Sequence, residues 1–314
     1  MLHTNQGSQF AFNGKGSELA LLLLKNILLS VVTLGIYYPW GKTAVRKYLW
    51  SRSSLDGHGF EYTGTGKELF LGYVKVLAFY LLFVGMQILA AENTNLSMAL
   101  NLGVAITFMA LLPFILFSSH GYLTSRIRYR GIAFAIDKGK RTEICRVFYR
   151  DVFFSLITFG IYIPAASFNL FRGLINATSY GSLGFSNSGN TVEYFKIVWT
   201  NIFLSLVTLN IYQAWAFARD LGYRIETTKL GNLRFETSFS GLKILGLFIL
   251  GLVGFVLTLG LAGPWIRTLF TSYALKNIST KGSIDFASVH QLKVSEDGKG
   301  NAAVDFFDLD GVLV

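Results

Sequence analysis

The stretch Thr33-Leu34-Gly35-Ile36-Tyr37-Tyr38-Pro39-Trp40 returns three times along the chain, at 158–164, 208–215 and 258–265. The last three threonines, Thr158, Thr208 and Thr258, are 50 residues apart, and a weaker copy, Thr107 with Pro113, lies 51 before Thr158. A fixed period of this size marks one supersecondary unit copied along the chain, and such units pack against one another. Each copy closes an apolar run, so composition decides the solvent. Of 314 residues, 52% are hydrophobic and 15% charged, where a soluble domain carries about 25% charge.

The uncharged runs cover 26–41, 76–91, 93–125, 152–171, 197–218 and 244–266. A helix needs roughly 17–25 apolar residues to cross a bilayer, and flanking lysines can snorkel to shorten that need. By length the sequence predicts about six membrane segments. Net charge is +10 with a pI near 9.6. In a membrane protein this reads as Lys and Arg gathered in cytoplasmic loops beside anionic lipid, and nucleic acid is not expected as a partner. Cys145 is the single cysteine, which excludes an intrachain disulfide. Residues 1–18 lack a basic n-region with a cleavage site. No removed signal peptide is expected, and the first apolar segment serves as its own insertion signal.

A second motif precedes the apolar runs. Phe10-Ala11-Phe12-Asn13-Gly14-Lys15-Gly16-Ser17-Glu18-Leu19 is followed 50 residues on by Phe60-Glu61-Tyr62-Thr63-Gly64-Thr65-Gly66-Lys67-Glu68-Leu69. Phe185, Gly189 and Glu193 keep the same offsets, Phe134, Gly139 and Glu143 keep them with one insertion, and Phe235 and Phe286 mark degenerate copies. Alternating aromatic and polar residues ending in glycines predict a short strand and turn. The Glu then falls in a first helical turn, where a carboxylate suits the helix dipole.

The fold class is therefore an all-α polytopic membrane protein built of ~50-residue repeats, with short β-strands in the loops between repeats. The repeat-built region spans 1–291, with units near 10–59, 60–133, 134–184, 185–234 and 235–286, and 292–314 forms a polar tail. Each unit reads as a strand, a turn, an apolar helix, the Gly/Pro break and a short second helix, in which Pro interrupts the helix. Tyr48, Tyr122, Tyr223 and Tyr273 each follow a repeat threonine by 15 residues. Tyr37, Tyr38 and Trp40 suit the headgroup level, and the segment after the break carries an interfacial amphipathic pattern.

Eight basic residues lie in 119–150 and none in 92–97. The positive-inside bias puts 42–68 and 119–150 in the cytoplasm and 92–97 outside. Later topology is open between one crossing per unit, with 172–196 outside, and hairpins that dip and return. Similar strand motifs should meet similar surroundings, which favours the second, with all strands on the cytoplasmic side. Gly241, Gly246, Gly251, Gly254, Gly260 and Gly263 permit close helix approach in the last apolar region.

The combined motifs, with Arg46-Lys47-Tyr48-Leu49-Trp50 and Leu55-Asp56-Gly57 before Phe60, resemble the YjgN family over nearly the whole chain. The resemblance implies a multi-pass bacterial inner-membrane protein built around a domain of unknown function, and it implies no activity. Ala165 stands where the third unit should have Trp, and Ala262 where the fifth should have Tyr.

Candidate polar groups recur seven residues before the threonines: Asn26, Asp151 and Asn201. With Tyr37, Tyr162 and Tyr212 they form the candidate membrane site, either a shared polar centre or interhelical glue. Trp40, Trp215 and Trp265 with Arg46, Lys47, Arg126 and Arg128 are the candidate headgroup contacts. His3, His58, His120 and His290 lack ligand spacing, so no metal is expected. Gly14-x-Gly16 and Gly64-x-Gly66 lack a nucleotide fingerprint, so no cofactor is expected. No catalytic set shows, and the chain is not read as an enzyme. Phe307-Asp308-Leu309-Asp310-Gly311 resembles a phosphatase motif but has no domain after it. Two functions follow: a transporter or permeation path, or a non-catalytic scaffold binding anionic lipids or partner proteins, with self-association left open.

Overall fold

The computed structural model describes residues 8–284, 286 and 289–291. The polar tail at 292–314, His3 and the acidic run near Asp308 lie outside the described residues. Five units follow one another, each a strand, two antiparallel helices and a returning strand. The first is β1 (Phe10–Phe12), α1 (Gly16–Val32), α2 (Tyr38–Ser51) and β2 (Ser53–Leu55). The second is β3 (His58–Tyr62), α3 (Gly66–Leu89), α4 (Thr94–Ser125) and β4 (Ile127–Tyr129). The third is β5 (Ile132–Ile136), α5 (Arg141–Ile157), α6 (Ile163–Ala177) and β6 (Thr178–Tyr180). The fourth is β7 (Leu183–Asn187), α7 (Thr191–Val207), α8 (Gln213–Glu226) and β8 (Thr228–Leu230). The fifth is β9 (Leu233–Thr237), α9 (Gly241–Thr258), α10 (Gly263–Lys276) and β10 (Ile278–Lys281).

The fold is mostly helical with short strands between the helical hairpins, as expected. The strands go further than that expectation and join one ten-stranded antiparallel sheet in chain order. Two-residue turns link the units, as at Asp56-Gly57 and Arg130-Gly131, where both residues have positive φ; this is the type I′ geometry that matches strand twist. The sheet closes on itself: Gln9 bridges Ser279, and the Thr280 N–H donates to the Ser8 carbonyl at 2.9 Å. The helices close with it, since α1 packs on α10 as well as on α2. Closure removes the exposed edges of the sheet. All hairpins leave from and return to one sheet, which puts the strand motifs on one side of the helices, as the hairpin alternative expects.

Three described helices, Gly66–Leu89, Thr94–Ser125 and Gly241–Thr258, are long and apolar enough to cross a membrane. This lowers the expected six. The apolar runs 26–41, 152–171 and 197–218 are each two helices bent at a tight turn, which a hydropathy window reads straight through. Pro39, Pro164 and Pro264 open the second helices, where a missing amide donor costs nothing. Pro113 is different and lies inside α4.

Inside the ring of strands, one phenylalanine per unit points inward. Phe10 stacks with Phe60 at 6.3 Å, and Phe134 with Phe185 at 6.1 Å; Phe235 lies 6.5 Å from Phe10. Tyr129 and Tyr180 fill the same core, and the Tyr180 hydroxyl donates to the Tyr129 carbonyl at 3.0 Å. Phe286, expected as a sixth strand copy, is not in a strand, because β1 already occupies the place beside β10. It packs against Tyr129 at 5.8 Å under the Arg130 guanidinium at 4.4 Å, while Val289 is buried in the same cluster. The segment after β10 thus stoppers the ring.

The predicted acidic residues stand in the first turns of α1, α3, α5 and α7. Glu18 and Glu68 pair with Arg52 and Arg126, both at 2.8 Å. In the first, fourth and fifth units the repeated tyrosine clasps the start of the first helix. Tyr48 accepts from the Lys15 N–H, Tyr223 from Asn190 and Tyr273 from Ser240, at 2.7–2.8 Å.

Candidate functional site

The far end of each short hairpin is built around the repeat threonine. Thr33, Thr158, Thr208 and Thr258 each donate a hydroxyl to the carbonyl four residues back, at 2.6–2.7 Å. Each also accepts the N–H four residues ahead, from Tyr37, Tyr162, Tyr212 and Ala262, at 2.8–3.1 Å. The next residue, Leu34, Phe159, Leu209 or Leu259, is left-handed at φ 50° and 93%, 96%, 87% or 91% exposed. The result is a tip with satisfied backbone groups and an apolar point, as a lipid interior demands. Thr208→Val removes the acceptor of the Tyr212 amide and is expected to cost about 1–3 kcal/mol. Faster hydrogen exchange at that amide, with the rest of the ring unchanged, checks it.

Below the tips, the predicted polar residues do not converge on one centre. Asn26 donates to the Gly41 carbonyl at 3.1 Å, inside the first hairpin. Asp151 is 2% exposed. It accepts from Asn169 at 2.8 Å and from Arg150 at 2.7 and 2.9 Å, inside the third hairpin. Asn201 donates to the Ala216 carbonyl at 3.3 Å and accepts from Arg219 at 3.0 Å, inside the fourth. Arg219 also donates to the Tyr212 hydroxyl at 3.1 Å. Tyr37 stacks on Trp40 at 6.3 Å, and Tyr162 lies against Phe154 at 5.6 Å. These groups tie the two arms of their own hairpins. A cleft of about 530 Å³ opens between α5 and α6, lined by Asp151, Ser155, Leu156, Phe159 and Ala166 among others.

The tryptophans serve the joints between units. A Cβ on Gly66 would lie 2.5 Å from Trp40, one on Gly241 2.3 Å from Trp215, and one on Gly16 2.4 Å from Trp265. Each Trp therefore fills the space left by the next unit's glycine, the last one sealing the ring. At the equivalent joint after the second unit, the Arg141 guanidinium lies 6.0 Å from the Phe114 ring. After the third, Ala165 and Thr191 hold the positions that Trp and Gly hold at the other joints, and the Thr191 hydroxyl donates to Asn169 Oδ1 at 2.7 Å.

Of the four basic residues expected at headgroups, Lys47 and Arg128 are exposed. Arg46 is buried with its Nη1 at 3.4 Å from the Tyr62 hydroxyl, and Arg126 is held by Glu68, so both are packing residues. Sequence reasoning missed Arg219, because its counterparts in the repeat are Ala44, Asn169 and Leu269 and no periodic signal marks it. It also missed Tyr194, which bonds Asp220 and accepts from Arg224 at 2.5 Å where other units carry Leu19, Leu69 and Ile144. No cluster of three metal-binding side chains occurs among the described residues.

One further set of residues fixes a level. Exposed cations Lys25 and Lys75 occupy equivalent places on α1 and α3, and Arg150 matches them on α5. Arg219 reaches the same level through Asn201, the equivalent of Asn26. Arg267 matches Lys42, which neighbours the Gly41 carbonyl that Asn26 bonds. Every hairpin thus carries a cation at one height. Lys25 and Arg150 each lie nine residues before the tip, about 13 Å along a helix.

A family model described as "Bacterial protein of unknown function (DUF898)" matches residues 7–188, 182–232 and 222–306. The chain is 28% identical over 137 residues to "Inner membrane protein YjgN" of Salmonella typhimurium, covering 44% of this chain and 33% of that protein. It is 32% identical over 103 residues to the protein of that name from Escherichia coli O157:H7, covering 32% and 25%. For Escherichia coli K12 the figures are 35% over 71 residues, covering 23% and 18%. The aligned stretches span a third or less of these curated relatives. No solved structure matches. With the family model running through all five units and three helices able to span a bilayer, the chain belongs to the DUF898 family, as an inner-membrane protein distantly homologous to YjgN.

Proposed function

We propose that the chain is a non-catalytic membrane scaffold. It sets four helical hairpins into one leaflet, α9–α10 among them because only nine residues separate the belt position at Leu250 from the tip at Leu259, anchors them with the crossing hairpin α3–α4, and holds anionic lipid headgroups at its cation belt. The observation that carries this is the depth from belt to tip. About 13 Å matches half of a hydrocarbon core roughly 30 Å thick. Past Lys75, α3 runs a further 14 residues to Leu89, about 21 Å, and α4 has 32 residues, so this hairpin passes the depth at which the other tips stop. The basic residues around the strands, among them Arg126, Arg128, Lys138 and Lys140, support a cytoplasmic sheet by the positive-inside bias.

A transport path would need polar groups lining one passage. Asn26, Asp151 and Asn201 bond within separate hairpins, and aromatic rings fill the sheet lumen, so the scaffold is favoured over a transporter. Cysteines at Leu34 and Ser186 in a Cys145→Ser background test the topology. Ser186→Cys is expected to react with impermeant thiol reagent from the cytoplasmic side alone. A fluorophore at Leu34→Cys is expected to be quenched by lipids brominated near the chain ends. Reaction of Leu34→Cys with reagent added outside would sink the single-leaflet reading. Solute flux in proteoliposomes that Asp151→Ala and Asn201→Ala both abolish would restore transport.

A further inference from the structure

We infer that Arg219 is a binding site for the phosphate of an anionic phospholipid headgroup. This rests on the leaflet-embedded reading and names the contact that reading lacks. The five belt cations differ in how they are held. Arg150 is neutralised by buried Asp151 at 2.7 Å. Arg219 is not: its neighbour Asp220 is committed to Arg224 at 3.2 Å, and no carboxylate among the described residues pairs with Arg219.

Its two partners are neutral oxygens. Nη1 donates to Asn201 Oδ1 and to the Tyr212 hydroxyl, which uses both Nη1 protons and leaves the Nη2 and Nε edge of the fork unengaged. Asn201 is buried, and its own amide is anchored on the Ala216 carbonyl. The guanidinium is therefore oriented before any ligand arrives, exposed at the belt, and carries an uncompensated charge.

The first unit shows what the arrangement adds. There Ala44 replaces Arg219, and buried Asn26 Oδ1 is left with no hydrogen bond. The fourth unit has filled that vacancy with an exposed cation whose remaining donors bond no described residue. A planar fork suits a phosphodiester better than an ammonium does. A lysine at the belt, such as Lys25, presents a mobile point charge without that orientation.

Native mass spectrometry of the full chain, released from mixed phosphatidylglycerol and phosphatidylethanolamine nanodiscs, tests the assignment. Wild type is expected to retain phosphatidylglycerol, and Arg219→Gln to lose about tenfold in its retention, the scale of one charge-assisted contact. Arg219→Lys is expected to recover part of that loss, Tyr212→Phe to lose an intermediate amount, and Lys25→Gln to lose little. Millimolar inorganic phosphate is expected not to displace the lipid. Equal retention in wild type and Arg219→Gln overturns the site, as does an equal loss in Lys25→Gln. Displacement by free phosphate also overturns it as a lipid site. The single-leaflet reading stands or falls separately on the quenching of the Leu34→Cys probe.

Discussion

Gly241→Thr is expected to break the joint between the fourth and fifth units, and Trp215→Ala in the same chain is expected to mend it. The added Cβ alone would sit 2.3 Å from the Trp215 ring, a distance real contacts do not reach. The ring cannot yield freely, since it also stacks on Tyr212 at 6.2 Å. Overpacking of this kind costs about 1–3 kcal/mol and sometimes more. Removing the indole opens the space, and the pair then matches the Ala165 and Thr191 found at the equivalent positions of the third and fourth units. The double variant should unfold nearer to wild type than Gly241→Thr does. A double-mutant cycle in detergent reads this directly, with a coupling of about 1–3 kcal/mol. Additive losses would show that the joint is not a complementary large-and-small pair.

That joint also shows what could be read from sequence. The unit, its threonines and its acidic first turns were legible because they are local and periodic. The Trp residues looked like headgroup anchors because their glycine partners lie in the next unit. For Trp265 the partner is Gly16, at the opposite end of the chain, so closure of the ring left no local trace. Membrane crossings were overcounted for a related reason. Leu34, Phe159, Leu209 and Leu259 occupy left-handed turn positions where glycine is the usual residue, and an apolar side chain there reads as more helix. Arg219 was invisible because repeat logic finds what recurs, and this side chain occurs once.

Tyr180→Ala is expected to be the most damaging single truncation within the strand ring. Tyr180 is 1% exposed and touches Phe134 at 5.0 Å, Tyr129 at 6.0 Å and Phe286 at 6.4 Å. Removing an aromatic from such a place costs about 3–5 kcal/mol. Tyr180→Phe keeps the ring and loses the hydroxyl bond to the Tyr129 carbonyl, about 1 kcal/mol. The same burial gives the ring an alkaline limit. It pushes the Tyr180 phenol up to about 12, and burial raises Tyr129 as well. An unfolded chain releases these protons near pH 10 while the folded ring keeps them. Their contribution is therefore complete below pH 10 and declines as pH rises toward 12. Thermal unfolding of wild type should fall across that window, and Tyr180→Phe should fall less steeply. If both fall alike, the alkaline sensitivity belongs to other groups and the lumen is not where the ring is tied.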